Sequence, residues 1–154
     1  MADMGISTLG VTFSYGVEAT AGTKPTSFTT LHRINSIGSV SIEPEKIDAS
    51  ALEDKETKYI PGRADTGGGN MSVVVNLTNE TLAEWEKVIE DYVEAKEAGK
   101  KLWFQSKIPG LTKANFVVAN PPERLPKPEN NQNELQTMEI QLTIENYVGF
   151  DTAV

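Results

Sequence analysis

Several residue types that carry chemistry in proteins are scarce or missing in this chain of 154 residues. Cysteine is absent, which excludes disulfide frameworks, cysteine-ligated zinc or iron–sulfur sites and thiol nucleophiles. The single histidine, His32, lies in a predicted strand, and no local motif supplies it with catalytic partners. Basic residues are also few. The 14 Lys and Arg stand against 22 Asp and Glu, a net charge of −8, which argues against nucleic-acid binding through phosphate contacts.

Long hydrophobic runs are missing as well. The best apolar stretch, residues 71–75, is far shorter than the roughly 18 residues that a membrane-spanning helix needs. Residues 1–5 contain neither a basic region nor an apolar signal core. We therefore expect a protein that is made and folds in a cytoplasm and has no membrane partner.

Recognisable catalytic and cofactor motifs are absent from the sequence. The glycine-rich residues 61–69 lack the Gly-Lys-Ser/Thr ending of a phosphate-binding loop, and they precede a predicted strand instead of a helix. The acids near residues 43–56 do not follow the ligand spacing of a calcium loop. Their distance from one another in space cannot be read from the sequence, so they cannot be assigned as the two carboxylates of a glycosidase. We expect no enzymatic activity, no metal and no cofactor.

Period-two alternation of apolar and polar residues, which is typical of half-buried strands, is well represented. It is clearest at residues 137–145 and again at residues 9–15. Four further strands are predicted at residues 31–42, 71–77, 102–106 and 114–119. Large side chains occupy both faces at residues 102–104, so we expect that strand to be covered on both sides.

One amphipathic helix is predicted at about residues 79–98. Thr78 or Asn79 can serve as its N-cap, Thr81 with Glu84 is a capping-box candidate, and Gly99 is suited to the position after its end. The helix contains seven acids and two lysines, a net charge of −5 out of −8. This charge is typical of a solvated helix face.

Long segments without a hydrophobic pattern separate these elements. They are a loop at about residues 43–69 and a proline-rich arm at about residues 120–135, besides a small polar segment at residues 18–30. The sequence therefore predicts one mainly β domain over residues 1–154. A single helix would pack on its sheet, and the domain would carry long arms. Because such loops are uncommon in compact monomers, we expect the arms to become ordered against other subunits.

The order of these parts resembles the tail tube (major tail) proteins of long-tailed bacteriophages. The resemblance rests on residues 10–16, on residues 47–54 and on the Tyr-Ile-Pro-Gly to Asp-Thr-Gly-Gly loop at residues 59–68. An alternating strand and a helix with an acidic face and one Trp follow that loop. Nearly the whole chain takes part in this resemblance as an order of elements.

The resemblance implies a β-sandwich or barrel-like sheet flanked by a single helix. It also implies a structural virion protein that self-assembles into hexameric rings, which stack into a tube for DNA. Its implied partners are further copies of itself, a tape-measure protein and a tail terminator protein. Double-stranded DNA would pass through without specific binding, and assembly in the host cytoplasm would precede incorporation into the virion. The long loop would reach the neighbouring ring through Asp48, Glu53, Asp54, Lys55, Tyr59, Arg63 and Asp65.

Two placements stay open for the polar face of the C-terminal strand. Glu139, Gln141 and Glu145 either line the lumen of such a tube or face the outer solvent. A different function is a β-sandwich module that binds a carbohydrate or a receptor through exposed aromatic residues. A small hydrolase using His32 is the third hypothesis.

Overall fold

The fold was analysed in a computed structural model of the protein. It describes residues 9–40, 43–53, 55–56, 59–65 and 69–154, and for residues 43–48 and 59–65 it describes the backbone alone.

The described chain is mainly β with one helix, as the sequence predicts. The elements in chain order are β1 (Thr12–Val17), β2 (Thr29–Leu31), β3 (Ile34–Ile37), β4 (Glu43–Asp48), β5 (Tyr59–Asp65), β6 (Asn70–Asn76), α1 (Asn79–Glu97), β7 (Leu102–Lys107), β8 (Lys113–Asn120) and β9 (Thr137–Thr152). Seven strands form one sheet in the order β2-β1-β7-β8-β9-β6-β3, and every neighbouring pair is antiparallel. Strands β4 and β5 form a separate two-stranded sheet.

The seven-stranded sheet curls until its two edges lie side by side. Edge strands β2 and β3 are at opposite ends of the strand order, yet only His32 and Arg33 separate them in the chain. Three Cα–Cα steps of about 3.8 Å can span at most about 11 Å, so the two edges must be close. They are not hydrogen-bonded to each other as strands, and the sheet is therefore not closed into a barrel.

The main core lies on the inner face of this curled sheet, between the sheet and α1. Phe13 stacks on Phe104 with ring centroids 5.4 Å apart. From the helix, Trp85 and Val88 are fully buried in the same cluster. Burying each such side chain stabilises the fold by about 1.5–3 kcal/mol, so this cluster supplies the main attachment of the helix to the sheet.

Both ends of α1 follow from local sequence. Thr78 is the N-cap, and its side chain accepts a hydrogen bond from the Thr81 backbone N–H. The Thr81 hydroxyl accepts from the Thr78 N–H at 2.8 Å, so the capping box is Thr78 with Thr81 and the Thr81–Glu84 prediction is wrong. Gly99 follows the helix with a φ of 72°, a left-handed conformation that suits glycine.

Strand boundaries differ from the predictions at three places. β1 begins at Thr12, because Gly10 turns the chain with a φ of 83° and Leu9 is left 84% exposed. The strand predicted at residues 31–42 is broken by Arg33, whose φ of 56° redirects the chain from one sheet edge to the other. β9 continues past Glu145 to Thr152, where it pairs with β8 alone.

The two predicted arms differ in outcome. The prediction of a long loop at residues 43–69 is wrong in part, because its backbone forms the antiparallel pair β4–β5. Backbone pairing needs no hydrophobic alternation, which explains why the sequence pattern does not reveal it. The proline-rich arm contains no helix or strand between Asn120 and Thr137, and Leu125 packs against the core.

Candidate assembly surfaces

The outer face of β9 and β6 is open and polar. Along β9, Met138, Ile140, Leu142 and Ile144 are buried and alternate with exposed residues. The three residues predicted as candidates for a lumen lining, Glu139, Gln141 and Glu145, lie on the exposed side. The sheet therefore brings all three to one accessible face, as the alternation predicts.

Hydrogen bonds order this polar face. The Gln141 amide donates to the Ser72 hydroxyl on β6 at 2.8 Å and to the Glu139 carboxylate at 2.6 Å. Glu145 forms an ion pair with Lys101. Of the two acids, Glu145 is compensated by a lysine, while Glu139 makes no ion pair within the described residues. Glu139 is therefore the stronger source of negative potential here.

The outer face of β1, β7 and β8 is instead covered by the chain itself. Trp103, Ala114, Phe116 and Val118 form a second buried cluster on the side opposite the main core. Residues 18–28, which we call the strap, cross it, and the Phe28 ring lies 5.8 Å from the Phe116 ring. The prediction that residues 102–104 are covered on both faces is confirmed by these contacts.

Glu18 fastens the beginning of the strap. Its side chain is only 3% exposed, and both carboxylate oxygens accept hydrogen bonds. The Lys101 backbone N–H donates to one oxygen at 2.7 Å, while the Gly22 N–H at 3.1 Å and the Trp103 indole N–H at 3.0 Å donate to the other. A buried carboxylate is tolerated where such donors surround it.

Lys24 fastens the middle of the strap. Its ammonium lies 4.0 Å from the centre of the Phe116 ring, a cation–π contact. It also donates to the Thr152 carbonyl at 2.6 Å and lies 3.5 Å from the Asp151 carboxylate. The pKa of Asp151 is lowered, first by a hydrogen bond from the Thr152 backbone and then by Lys24. The strap is thereby joined to the end of β9.

Gly16 allows the strap to pass close to β1. A Cβ atom at this position would lie 2.7 Å from the Ser27 carbonyl oxygen and 3.1 Å from both Phe28 and Pro25. Backbone oxygen cannot move aside cheaply, so only glycine fits here. Sequence reasoning missed both Gly16 and Glu18. The large side chains on both faces of β7 predict that this strand is covered on both sides. They do not predict which segment of the chain covers it.

A second covering contact is made by the C-terminal residue. The buried Gln105 side chain accepts a hydrogen bond from the Val154 N–H at 3.1 Å and donates to the Val154 carbonyl at 3.4 Å. Among the described residues, the strap and Val154 cover the outer face of β1, β7 and β8, whereas the outer face of β9 and β6 is left open.

The hairpin of β4 and β5 carries the residues that were predicted to reach a neighbouring ring. Its register places Asp48 opposite Tyr59 and Glu43 opposite Asp65, with Arg63 also in β5. Glu53 and Lys55 lie at its exposed tip, and Asp54 lies outside the described residues. Leu52 is fully exposed at the same tip. An isolated two-stranded hairpin is only marginally stable in water, which favours a partner for it.

His32 and the two Trp residues are the candidate groups of the alternative functions. His32 connects β2 to β3, and its ring nitrogen Nδ1 lies 2.5 Å from the Glu84 carboxylate on α1. In the parts of the chain that are described, no group of three or more His, Asp or Glu could hold a metal ion. Trp85 is fully buried and Trp103 is 9% exposed, so neither is free to stack on a sugar. None of the helices in the described residues is long and apolar enough to span a membrane.

The fold is similar to that of phage tail structures. One solved structure, a hybrid NMR and cryo-EM structure of the SPP1 tail tube, matches 97% of this chain and 81% of its own with a TM-score of 0.60 and 15% identity. The chain has a phage tail tube-like fold. A protein of the six-fold symmetrised anti-feeding prophage baseplate has a similar fold, with 99% of this chain and 97% of the other covered, a TM-score of 0.57 and 11% identity. No family model and no curated protein matches the sequence.

Proposed function

We propose that this protein is a structural subunit of a phage tail, which self-assembles into stacked hexameric rings around a channel for double-stranded DNA. The observation that carries the proposal is the tail tube-like fold over 97% of the chain. Of the two similar structures described above, one is a phage tail tube and the other is a prophage baseplate symmetrised with 6-fold symmetry. The proposed role includes no enzymatic activity, metal or cofactor.

The hairpin supports the self-assembly part of this proposal. Among the described strands, β4 and β5 pair only with each other, and they leave an exposed tip with Leu52. In the proposed tube, this hairpin extends to a subunit of the neighbouring ring, where burial of the tip stabilises the stack. A tape-measure protein inside the tube and a terminator protein at its end complete the proposed assembly, in the host cytoplasm before the virion is finished.

The polar face of β9 and β6 is the proposed lining of the channel. The other half of the outer sheet face is covered by the strap, so it cannot face a lumen without unfolding that segment. Glu139 contributes negative charge that ring symmetry repeats in every subunit. Such a lining repels DNA phosphates over a Debye length of about 8 Å at physiological salt, which keeps the cargo from binding.

Assembly and lining are tested separately. Concentrated protein, alone or seeded with tail fragments, should form rings or tubes in negative-stain images, with six-fold class averages in end views. Protein that stays monomeric in both conditions contradicts the proposal.

For the lining, Glu139→Lys tubes should retain double-stranded DNA fragments at low salt, whereas wild-type tubes and tubes of the arm variant Glu129→Lys should not. Equal retention by the two Lys variants would place Glu139 on the outside of the tube.

A further inference from the structure

A shallow groove lies at the turn between β7 and β8. It has a volume of about 300 Å³ and is lined by Gly10, Thr12, Lys107, Ile108, Pro109, Leu111, Lys113 and Ala153. Leu111 is 43% exposed at its rim. The lining contains two lysines and no acid, and the surrounding residues 98–122 contain four lysines without any Asp or Glu. The groove is therefore a basic site on an acidic protein.

The two groove lysines differ from the lysines that the fold uses. Lys24, Lys87, Lys96 and Lys101 each form an ion pair with an acid of the same chain. Within the described residues, Lys107 and Lys113 form none. Lys113 influences Asp151 only weakly, because the pKa of Asp151 is lowered mainly by a Thr152 hydrogen bond and by Lys24, with Lys113 the weakest cause. The positive charge of the groove is therefore not neutralised by an ion pair in the described residues, and it is available to a second molecule.

A complementary surface exists on α1. Glu86, Glu90, Glu94 and Glu97 follow one another at steps of four, four and three residues, so they form one stripe along the helix. All four are exposed and make no ion pair in the part of the chain that is described. Val93, which is 39% exposed, lies beside this stripe. The helix stripe therefore combines negative charge with the exposed Val93, and the groove combines positive charge with the exposed Leu111. The two surfaces are complementary in charge, and each has an apolar side chain to bury.

The stripe and the groove do not pair within one molecule. Lys107 and Lys113 make no ion pair with any acid of α1 in the described residues. In the described residues, no hydrogen bond or ion pair joins a groove side chain to the helix. Two complementary surfaces that do not pair within one chain can pair between copies.

We propose that the groove at the β7–β8 turn receives the acidic stripe of α1 from a second copy of this protein. The contact is head-to-tail, because it uses two different surfaces, and such contacts form rings or extended stacks. It rests on the proposed self-assembling function and assigns two surfaces to it. Salt weakens the contact, since both surfaces are exposed and charged.

Charge reversal tests the pairing. The groove variant Lys107→Glu/Lys113→Glu and the helix variant Glu86→Lys/Glu90→Lys should each raise the critical concentration for assembly at least about tenfold. The matched control Lys100→Glu/Lys127→Glu changes the net charge as the groove variant does, and it should assemble like wild type. Light scattering and negative-stain imaging measure assembly, and circular dichroism verifies that each variant is folded.

Restoration is the decisive readout. An equimolar mixture of groove and helix variants should assemble again, because each groove then finds an oppositely charged helix on the other variant. A single chain carrying all four substitutions should also assemble. Folded groove variants that assemble like wild type would overturn the pairing, and so would loss in both variants without restoration. Failure of wild-type protein to assemble at all would instead contradict the proposed function.

Discussion

Replacing the buried Glu18 by alanine should loosen the strap and destabilise the whole protein. The carboxylate accepts hydrogen bonds from Lys101, Gly22 and the Trp103 indole. Water can replace it at the two backbone donors, since both residues are at the surface. The indole N–H of Trp103 is buried and would lose its acceptor, at a cost of about 1–3 kcal/mol.

Lost packing around the deleted side chain adds to this term, so we expect the free energy of unfolding to fall by about 3 kcal/mol. For a chain of this length, the Tm should then fall by roughly 6–12 °C. Glu18→Gln should be intermediate at about 1–2 kcal/mol, because both carboxylate oxygens are used and an amide offers only one acceptor.

Urea unfolding followed by tryptophan fluorescence measures this change. The native spectrum should also shift for the variant, since Trp103 loses its partner while Trp85 remains in the main core. The control is Glu97→Ala, an exposed helix acid whose loss should cost less than about 0.5 kcal/mol. A Glu18→Ala protein as stable as this control would refute the assignment of Glu18 as the fastening residue.

Three further outcomes are expected. Gly16→Ala should cost about 1–3 kcal/mol in chemical unfolding because its Cβ would meet strap backbone, whereas Gly69→Ala, with nothing within 4 Å, should be near neutral; equal effects would contradict the close approach. Leu52→Asp should leave the thermal melt unchanged and abolish tubes in negative stain; tubes at wild-type yield would remove the tip from the contact. Burial first, then the hydrogen bond to Asp91, raises the pKa of Tyr15 above its usual 10.0. The folded state then holds that proton more tightly, so stability should be intact below about pH 10 and decline above it, less steeply in Tyr15→Phe; an unchanged slope would contradict the linkage.

The elements that the sequence predicts best are those that cover the main core. β9 has one buried and one exposed face, so Met138, Ile140 and Leu142 alternate with polar residues. The stripe of α1 is equally clear because Trp85 and Val88 reach the same core. In both cases burial against one surface imposes a periodicity on the sequence, and that periodicity is readable.

Elements without a hydrophobic pattern escaped the same reasoning. β4 contains Pro44 and several charges, and β5 contains Pro61 and Gly62, so neither shows an alternating pattern. Their pairing is a property of the backbone. The break at Arg33 is equally hidden, because a left-handed conformation there is imposed by the crossing between sheet edges, and arginine is no signal for it.

The contacts of the strap could not be predicted from the sequence. Glu18 is one of 22 acids, and nothing local distinguishes it from the exposed ones. Its burial depends on Trp103 and Lys101, more than eighty positions away in the chain. The polar face at Glu139 could be predicted because the alternation of a strand is a local pattern. Its exposure could not, because that depends on which part of the sheet the strap covers.

A cryo-EM reconstruction of the particles formed by purified wild-type protein tests the central claim most directly. The account predicts stacked six-membered rings around an open channel, with the Glu139 face of β9 toward that channel and the strap away from it. Particles with Glu139 on the outer surface, or protein that remains monomeric at high concentration and in the presence of tail seeds, would contradict it.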